Sequence, residues 1–144
     1  MTQIDFYTNV SDKLHTLCRL VAKGHSLGRK VLIYCPDAET AQRIDRMLWT
    51  TPPTAFVPHC GPSDPLAEVT PIIIDYLGAE PLQDQILINV RSEWPPFFGR
   101  FERLIEIVSL DAEDRRTARE RYKFYRDRGY EIRTHDLAAA NPAA

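Results

Sequence analysis

The chain has 144 residues, 44% of them hydrophobic, which is the usual share for one globular domain with a single core. Its 18 Lys and Arg residues against 20 Asp and Glu give a formal net charge of -2, which excludes the overall positive charge of a general nucleic-acid binder. Any basic site must therefore be local. Three widely spaced cysteines, Cys18, Cys35 and Cys60, exclude a disulfide framework and a Cys-x-x-Cys metal site.

The first third of the chain predicts strands alternating with helices. Residues 4–7 indicate a strand, and Ser11 or Asp12 then caps a helix with an apolar i, i+3, i+4, i+7 face. Residues 30–35 form a nearly continuous apolar run, as in a strand buried on both faces, and Asp37 caps a second helix. Because parallel strands need crossover connections, this alternation favours an α/β fold with a largely parallel central sheet flanked by helices.

Residues 50–71 form a long connection that contains six prolines and one brief strand candidate at residues 56–57. A connection this long in a compact domain is either a contact surface or a loop packed down by its own aromatic residues, Trp49 and Phe56. Aromatic side chains on a stiffened loop suit a partner interface, because they bind with little loss of entropy. These residues alone leave both interpretations open.

The remaining elements continue the pattern. Strands are predicted at residues 72–74, 86–90, 104–108 and 130–134, and a turn at residues 94–98 opens a short helix. The longest helix is predicted from Asp111 to about Arg128, and Gly129 ends it. We expect one domain over residues 1–137, followed by a disordered Ala- and Pro-rich tail at residues 138–144.

The sequence carries no pattern that predicts catalysis, a metal site or a cofactor. The turn predicted after the first strand, residues 8–11, has no glycine, and the chain has no phosphate-binding loop or Gly-x-Ser-x-Gly motif. The four histidines, His15, His25, His59 and His135, have no zinc-ligand spacing. His59 and Cys60 are adjacent in sequence and point apart, which favours packing over nucleophilic chemistry.

No export signal or membrane-spanning segment is predicted. Residues 1–7 lack a positive start followed by an apolar run, and no stretch approaches about 18 uncharged apolar residues. We expect a protein of the reducing cytoplasm with no membrane contact.

The last helix presents a cationic stripe. At about 100° per residue, four cations fall within about 80° of one another: Arg115, Arg119, Lys123 and Arg126. Tyr122 borders the stripe, and Ala118 with Tyr125 forms the core-facing edge. Glu120 and Asp127 can pair with Lys123 or Arg116 without neutralising the centre of the stripe.

Two interpretations of the stripe are open from its pattern. Arginines late in a helix favour the negative end of the helix dipole and keep a surface face solvated. The functional interpretation is an anion-binding groove, for which a short acidic peptide fits better than a row of phosphates, because Tyr122 and an adjacent apolar pocket can accept one anchoring side chain.

Together these residues resemble the chi subunit family of the bacterial DNA polymerase III holoenzyme. The resemblance rests on residues 5–7, 28–33, 45–49, 56–59 and 86–88, and above all on Ala-Arg-Glu-Arg-Tyr-Lys-Phe-Tyr-Arg at residues 118–126. It covers almost the whole chain in order, and it departs from the family pattern at residues 61–71 and 135–144.

The resemblance implies a non-enzymatic adaptor with a three-layer α/β fold. Members of the family bind the acidic, phenylalanine-terminated tail of single-stranded DNA-binding protein and connect it, through the psi subunit, to the clamp loader, so that nucleic acid is contacted only indirectly. By matching position, the implied tail site is Val108, Arg115, Arg119, Tyr122 and Lys123. The implied psi contact is Trp49 and Phe56.

Two alternatives from other classes are open at this point. One is an α/β enzyme whose nucleotide-binding loop has degenerated, with Asp5 and Asp37 near strand ends as its acids. The other is direct binding of single-stranded nucleic acid by the cationic stripe and Tyr122.

Overall fold

The computed structural model describes residues 1–51 and 56–140, which form a seven-stranded sheet with helices on both faces. The strands are β1 (Gln3–Val10), β2 (Val31–Tyr34), β3 (His59–Cys60), β4 (Ile72–Asp75), β5 (Ile86–Asn89), β6 (Arg103–Ser109) and β7 (Ile132–Asp136). The helices are α1 (Lys13–Ser26), α2 (Ala38–Thr50), α3 (Ala112–Asp127) and α4 (Leu137–Ala140), with short 3-10 helices at Ala67–Val69 and Phe98–Arg100.

All strand pairs of the sheet are parallel, and the strand order is β3-β4-β2-β5-β6-β1-β7. The predicted α/β class with a parallel central sheet is therefore confirmed. The order places β1 between β6 and β7, so the first strand of the chain pairs with the two strands that are furthest from it in sequence.

Alternate residues of the strands face two separate cores. Val31 and Ile33 pack under α1 and α2, whereas Leu32 joins Phe6 and Val108 under α3. The predicted inward face of α2 is confirmed, since Ala41, Ile44 and Leu48 are all buried. The result is the three-layer arrangement, with α1 and α2 on one face of the sheet and α3 on the other.

The helix boundaries follow from local capping chemistry. Asp12, Asp37 and Asp111 each accept a hydrogen bond from the backbone N–H three residues further on, as N-caps do. Gly28 and Gly129 adopt positive φ values of 73° and 84° after α1 and α3, a conformation that glycine reaches without strain.

Two local predictions are wrong. The strand candidate at residues 56–57 is a turn, and the strand is His59–Cys60 instead, because these residues pair with the start of β4. Residues 8–11 are not simply a turn, because β1 continues to Val10 through a shift in its register with β6. Asn9 allows this shift with a φ of 56°, a conformation that asparagine tolerates better than most residues.

The carboxyl-terminal prediction stays open. Leu137–Ala140 forms α4 at the point where the predicted tail begins, and residues 141–144 lie outside the described residues. The prediction of a domain over residues 1–137 with a disordered tail therefore stays a prediction. Pro52 and Pro53 of the long connection also lie outside the described residues.

A buried ionic network joins α3 to the sheet. The carboxylate of Glu106 on β6 is fully buried and accepts hydrogen bonds from Arg121 Nε at 3.0 Å, Tyr125 Oη at 2.7 Å and Asn89 Nδ2 at 3.0 Å. Arg121 also donates to the Ser92 carbonyl at 2.8 Å. Burial raises the pKa of Glu106, and its three donors offset part of that rise.

We expect Arg121→Met to lower the free energy of unfolding by about 3–5 kcal/mol, because it leaves the Glu106 carboxylate buried without its cationic partner. Arg119→Met on the same helix is the matched control and should change it by less than about 0.5 kcal/mol, since Arg119 is exposed. Urea denaturation measures both. Equal midpoints for the two variants would contradict the role assigned to the network.

Candidate functional site

A small pocket lies where the carboxyl ends of β1 and β6 meet α3. Its volume is about 190 Å³. Its lining residues come from these three elements: Phe6, Thr8, Asn9, Val108, Arg115, Ala118, Arg119 and Tyr122. The carboxyl ends of the strands are where parallel α/β sheets commonly bind ligands.

The start of α3 is fixed against both neighbouring elements by one carboxylate. Asp114 accepts a hydrogen bond from the Ser109 backbone N–H at 2.8 Å and forms an ion pair with Lys13 Nζ at 3.1 Å. Burial alone raises the pKa of Asp114, but the Ser109 and Lys13 contacts outweigh it, so the pKa lies below its usual value. An ionised Asp114 therefore holds α3 to the end of β6 and to the start of α1.

The floor of the pocket is apolar and closely packed. Phe6, Val108 and Ala118 are buried. The rings of Phe6 and Tyr122 meet edge to face with centroids 5.3 Å apart, a favourable aromatic geometry. Ala118 is small, so the floor stays open between Val108 and Tyr122, and the exposed part can accept an apolar group.

The rim of the pocket is cationic. The Arg115 guanidinium donates to Asn9 Oδ1 at 2.8 Å, and Asn9 Nδ2 donates to the Asp136 carboxylate at 2.9 Å. Arg115 is thus oriented through a neutral amide instead of a direct ion pair. The ion pairs of α3 among residues 1–51 and 56–140 do not include Arg115, Arg119 or Lys123. The rim therefore keeps its positive charge.

The structure brings four of the five predicted tail-site residues into one pocket, namely Val108, Arg115, Arg119 and Tyr122. Lys123 is exposed and lines an adjoining depression with Trp94 and Phe124, because consecutive helical residues point about 100° apart.

The predicted charge pairing on α3 is partly confirmed. Glu120 forms an ion pair with Arg116 at 2.8 Å, as predicted. Asp127 lies 3.3 Å from Arg126, and its predicted pairing with Lys123 or Arg116 is wrong. Arg126 and Asp127 are adjacent and pair at the exposed end of α3. Arg126, the last cation of the stripe, is therefore the one that this carboxylate neutralises.

Four lining residues were not among the predicted site residues: Ala118, which was predicted only as part of the core-facing edge of α3, and three residues of β1, namely Phe6, Thr8 and Asn9. The place of the three β1 residues depends on the pairing of β1 with β6, whose Cα partners are about a hundred residues away in sequence, and no local pattern reports such a contact. The register shift between Tyr7 and Val10 sets two residues of β1 opposite Val108. The one local signal is an asparagine at the end of a strand.

A second, aromatic surface lies at the end of α2. Trp49 is 51% exposed and Phe56 is 95% exposed, so Phe56 does not pack the connection onto the sheet. The Trp49 ring packs on the buried His59 ring with centroids 4.2 Å apart. His59 is held by the Val57 carbonyl 2.8 Å from Nδ1 and by Asp45 3.3 Å from Nε2. Trp49 is therefore positioned by His59, and Phe56, three residues before His59, is a second exposed aromatic side chain on this side of the chain.

The two carboxylates of the enzyme alternative have structural partners. Asp5 is buried and contacts Arg103 Nε and His135 Nε2, both at 2.8 Å. Burial alone raises the pKa of Asp5, but the hydrogen bonds from His135 and Arg103 outweigh it and keep the pKa below its usual value. Asp37 caps α2. Both carboxylates therefore serve the fold.

The fold and this pocket define a class: an α/β protein with an apolar, cation-rimmed pocket between α3 and the sheet. The family model described as "DNA polymerase III chi subunit, HolC" matches residues 1–133. The chain belongs to this family, and the resemblance seen in the sequence is confirmed. Membership gives it an accessory role in DNA replication. No helix within the described ranges is long and apolar enough to cross a membrane.

Three similar proteins are each named DNA polymerase III subunit chi. The one from Pseudomonas aeruginosa is 34% identical over 145 residues, covering 95% of this chain and 98% of the relative. The one from Haemophilus influenzae is 38% identical over 121 residues, with 83% and 84% covered. The one from Escherichia coli is 31% identical over 119 residues, with 82% and 81% covered.

We expect Asn9→Ala to be less stable than Asn9→Gly by about 1–2 kcal/mol, because alanine is strained at a φ of 56° and glycine is not. Both variants lose the amide that joins Arg115 to Asp136, so their difference isolates the backbone conformation. Urea denaturation measures it. An alanine variant as stable as the glycine variant would refute the left-handed conformation at the pocket.

Proposed function

We propose that this protein is a non-catalytic adaptor of the DNA polymerase III holoenzyme. It binds the acidic carboxyl-terminal tail of single-stranded DNA-binding protein and links it, through a psi-type subunit, to the clamp loader in the bacterial cytoplasm. The observation that carries the proposal is the pocket on α3, where an apolar floor is bordered by cations that have no carboxylate partner in the described part of the chain.

The pocket suits a peptide that ends in an aromatic residue. Its volume of about 190 Å³ is of the size that accepts one ring, since an apolar cavity of about 150 Å³ holds benzene. In the proposed complex the terminal ring of the tail lies between Val108 and Tyr122, against the edge-to-face pair that Tyr122 makes with Phe6. The ring supplies the anchor.

The cations recognise the charged parts of the tail. Arg119 binds the terminal carboxylate, since a guanidinium can hold a carboxylate with two parallel hydrogen bonds. Arg115, oriented by Asn9, and Lys123, just outside the pocket, attract the aspartates that precede the ring. All three cations are exposed, so salt screens them, and affinity falls as ionic strength rises.

The aromatic surface at the end of α2 serves the second contact. Trp49 and Phe56 are both exposed. They lie away from the α3 pocket, because α2 and α3 cover opposite faces of the sheet. Aromatic residues are enriched in protein interfaces, and Phe56 is the most exposed aromatic side chain in the described part of the chain. An adaptor needs two such separate surfaces to hold two partners at once.

We expect a peptide ending in Asp-Asp-Ile-Pro-Phe to bind, and Arg119→Ala to weaken it about 10- to 100-fold, because a charge-assisted hydrogen bond contributes about 1.5–3 kcal/mol. Tyr122→Ala and removal of the terminal Phe should each weaken binding as well. Arg43→Ala on α2 is the control, since it removes the same charge from another exposed helix. Isothermal titration at two salt concentrations measures these affinities.

The peptide experiment contradicts the proposal in two ways. Binding that is unchanged by loss of the terminal Phe would remove the anchor, and equal effects of Arg119→Ala and Arg43→Ala would leave only general charge attraction.

We expect Phe56→Ala to weaken binding of a purified psi-type subunit by about 30-fold, because interface hot spots contribute about 2 kcal/mol or more. Trp94→Ala is the matched control, since Trp94 is an exposed aromatic residue at a different place. Surface plasmon resonance with the immobilised subunit measures both variants. The peptide affinity should stay unchanged in Phe56→Ala, and a variant that loses both contacts would indicate misfolding instead of a separate surface.

A further inference from the structure

A row of cations runs from the exposed side of α1 to the amino end of the sheet. Arg19, Lys23 and His25 line one depression on α1, and Lys23 also borders a groove that contains Arg29 and Arg103. Lys23 is shared by the two, so the cations are continuous. We call Arg19, Lys23, Arg29 and Arg103 the basic track.

The helix that carries the first half of the basic track has no carboxylate of its own. Lys13–Ser26 contains no Asp or Glu, although the chain as a whole has more acidic than basic residues. None of the ion pairs among the residues that the structure describes includes Arg19 or Lys23. They are one helical turn apart, about 6 Å between their Cβ atoms, and so present two charges in a row.

The second half of the track is built into a groove. Arg29 pairs with Glu102 at 2.7 Å, and Arg103 is held by Asp5 at 2.8 Å and by the Tyr7 hydroxyl at 3.2 Å. Each carboxylate offsets one charge but also fixes a guanidinium in place. Arg29 and Arg103 are therefore positioned hydrogen-bond donors at one end of the basic track. Arg19 and Lys23, at its other end, carry the charges that no ion pair in the described part of the chain offsets.

The groove itself is largely apolar. Its volume is about 500 Å³, and its apolar lining residues come from α1, from the residue that follows α1 and from two strands: Leu20, Leu27, Ile86 and Ile105. A flat, uncharged ring can lie against these side chains while its attached anion reaches the cations. One small anion would use the cations alone and leave the apolar wall empty.

The groove is separate from the pocket on α3. Gln3, Ile86 and Arg103, which line it, are the first residues of β1, β5 and β6, whereas Val108 lies near the carboxyl end of β6. Ile86 and Ile105 belong to the core under α1, and Val108 belongs to the core under α3. The two sites thus lie at opposite ends and on opposite faces of the sheet.

We propose that the basic track and its groove bind single-stranded nucleic acid. Phosphates contact Arg19 and Lys23 and continue toward Arg29 and Arg103, and one unstacked base lies against the apolar wall of the groove. A single strand fits because its negative charges repeat along the chain and its bases are free to leave the stack. This contact is direct and does not depend on the peptide pocket of α3.

The test is fluorescence anisotropy of labelled oligothymidylate with the full chain at several salt concentrations. We expect Arg19→Ala/Lys23→Ala to weaken binding at least tenfold and to reduce the slope of log affinity against log salt by about 1.4, since each single-strand phosphate contact contributes about 0.7. Arg43→Ala/Arg46→Ala on α2 removes the same charge from exposed positions and is the matched control. Arg119→Ala reports on the stripe of α3.

Loss of binding in the α1 variant, with retention in the α2 and α3 variants, supports the proposal. The proposal is overturned if the oligonucleotide does not bind at low salt, if the α2 variant loses as much affinity as the α1 variant, or if Arg119→Ala abolishes binding. It is also overturned if the full chain binds polyglutamate but not the oligonucleotide, and if Arg19→Ala/Lys23→Ala loses the polyglutamate.

Discussion

A carboxylate that cannot reach solvent sets the geometry of this protein. Glu106 sits in the middle of β6, and every donor that satisfies it comes from another element: Asn89 from the end of β5, and Arg121 and Tyr125 from α3. A buried charge is tolerated only with such partners, so α3 has one position on the sheet in which Glu106 is satisfied. Tyr122, on the neighbouring face of the same helix, and Arg119 beyond it therefore line one pocket with Val108 and Phe6 in a fixed arrangement. The geometry of the α3 pocket is a consequence of the buried network beneath it.

The parts of the fold that local chemistry determines could be predicted from the sequence. Capping aspartates such as Asp12 and Asp111 mark helix starts because their side chains bond to N–H groups a few residues away, and an apolar run such as residues 30–35 indicates a strand covered on both sides. The candidate strand at residues 56–57 failed for the opposite reason. A two-residue strand exists only where a neighbour pairs with it, and β4 pairs with His59 and Cys60. Nothing in the composition of residues 56–60 reports that choice.

The candidate site divides in the same way. The α3 side was predictable because helical periodicity alone places Arg115, Arg119 and Tyr122 together. The β1 side was not, because the contact of Phe6 and Asn9 with α3 depends on a strand order that brings the two ends of the chain together.

The helical position of Arg121 also indicates a buried acid. It falls about 240° around the helix, away from the cationic stripe and toward the core-facing edge, and a cation there requires a buried acid. The acid is Glu106, in the middle of an otherwise apolar strand.

The net charge of -2 is a poor guide to this surface, because many of the carboxylates serve the fold. Asp12, Asp37 and Asp111 cap helices, Asp114 anchors α3, and Asp5, Asp75 and Glu106 are buried. An acid that accepts backbone N–H groups or lies in the core contributes to the formal charge but offers little to a ligand approaching from solvent. Fewer cations cap helices or lie in the core, and several of them are exposed to solvent on the rim of the α3 pocket and along α1. A chain of slight negative charge can thus carry two clusters of cations on opposite faces of one sheet, and the local field at each cluster, not the net charge, decides whether the site suits an anionic ligand.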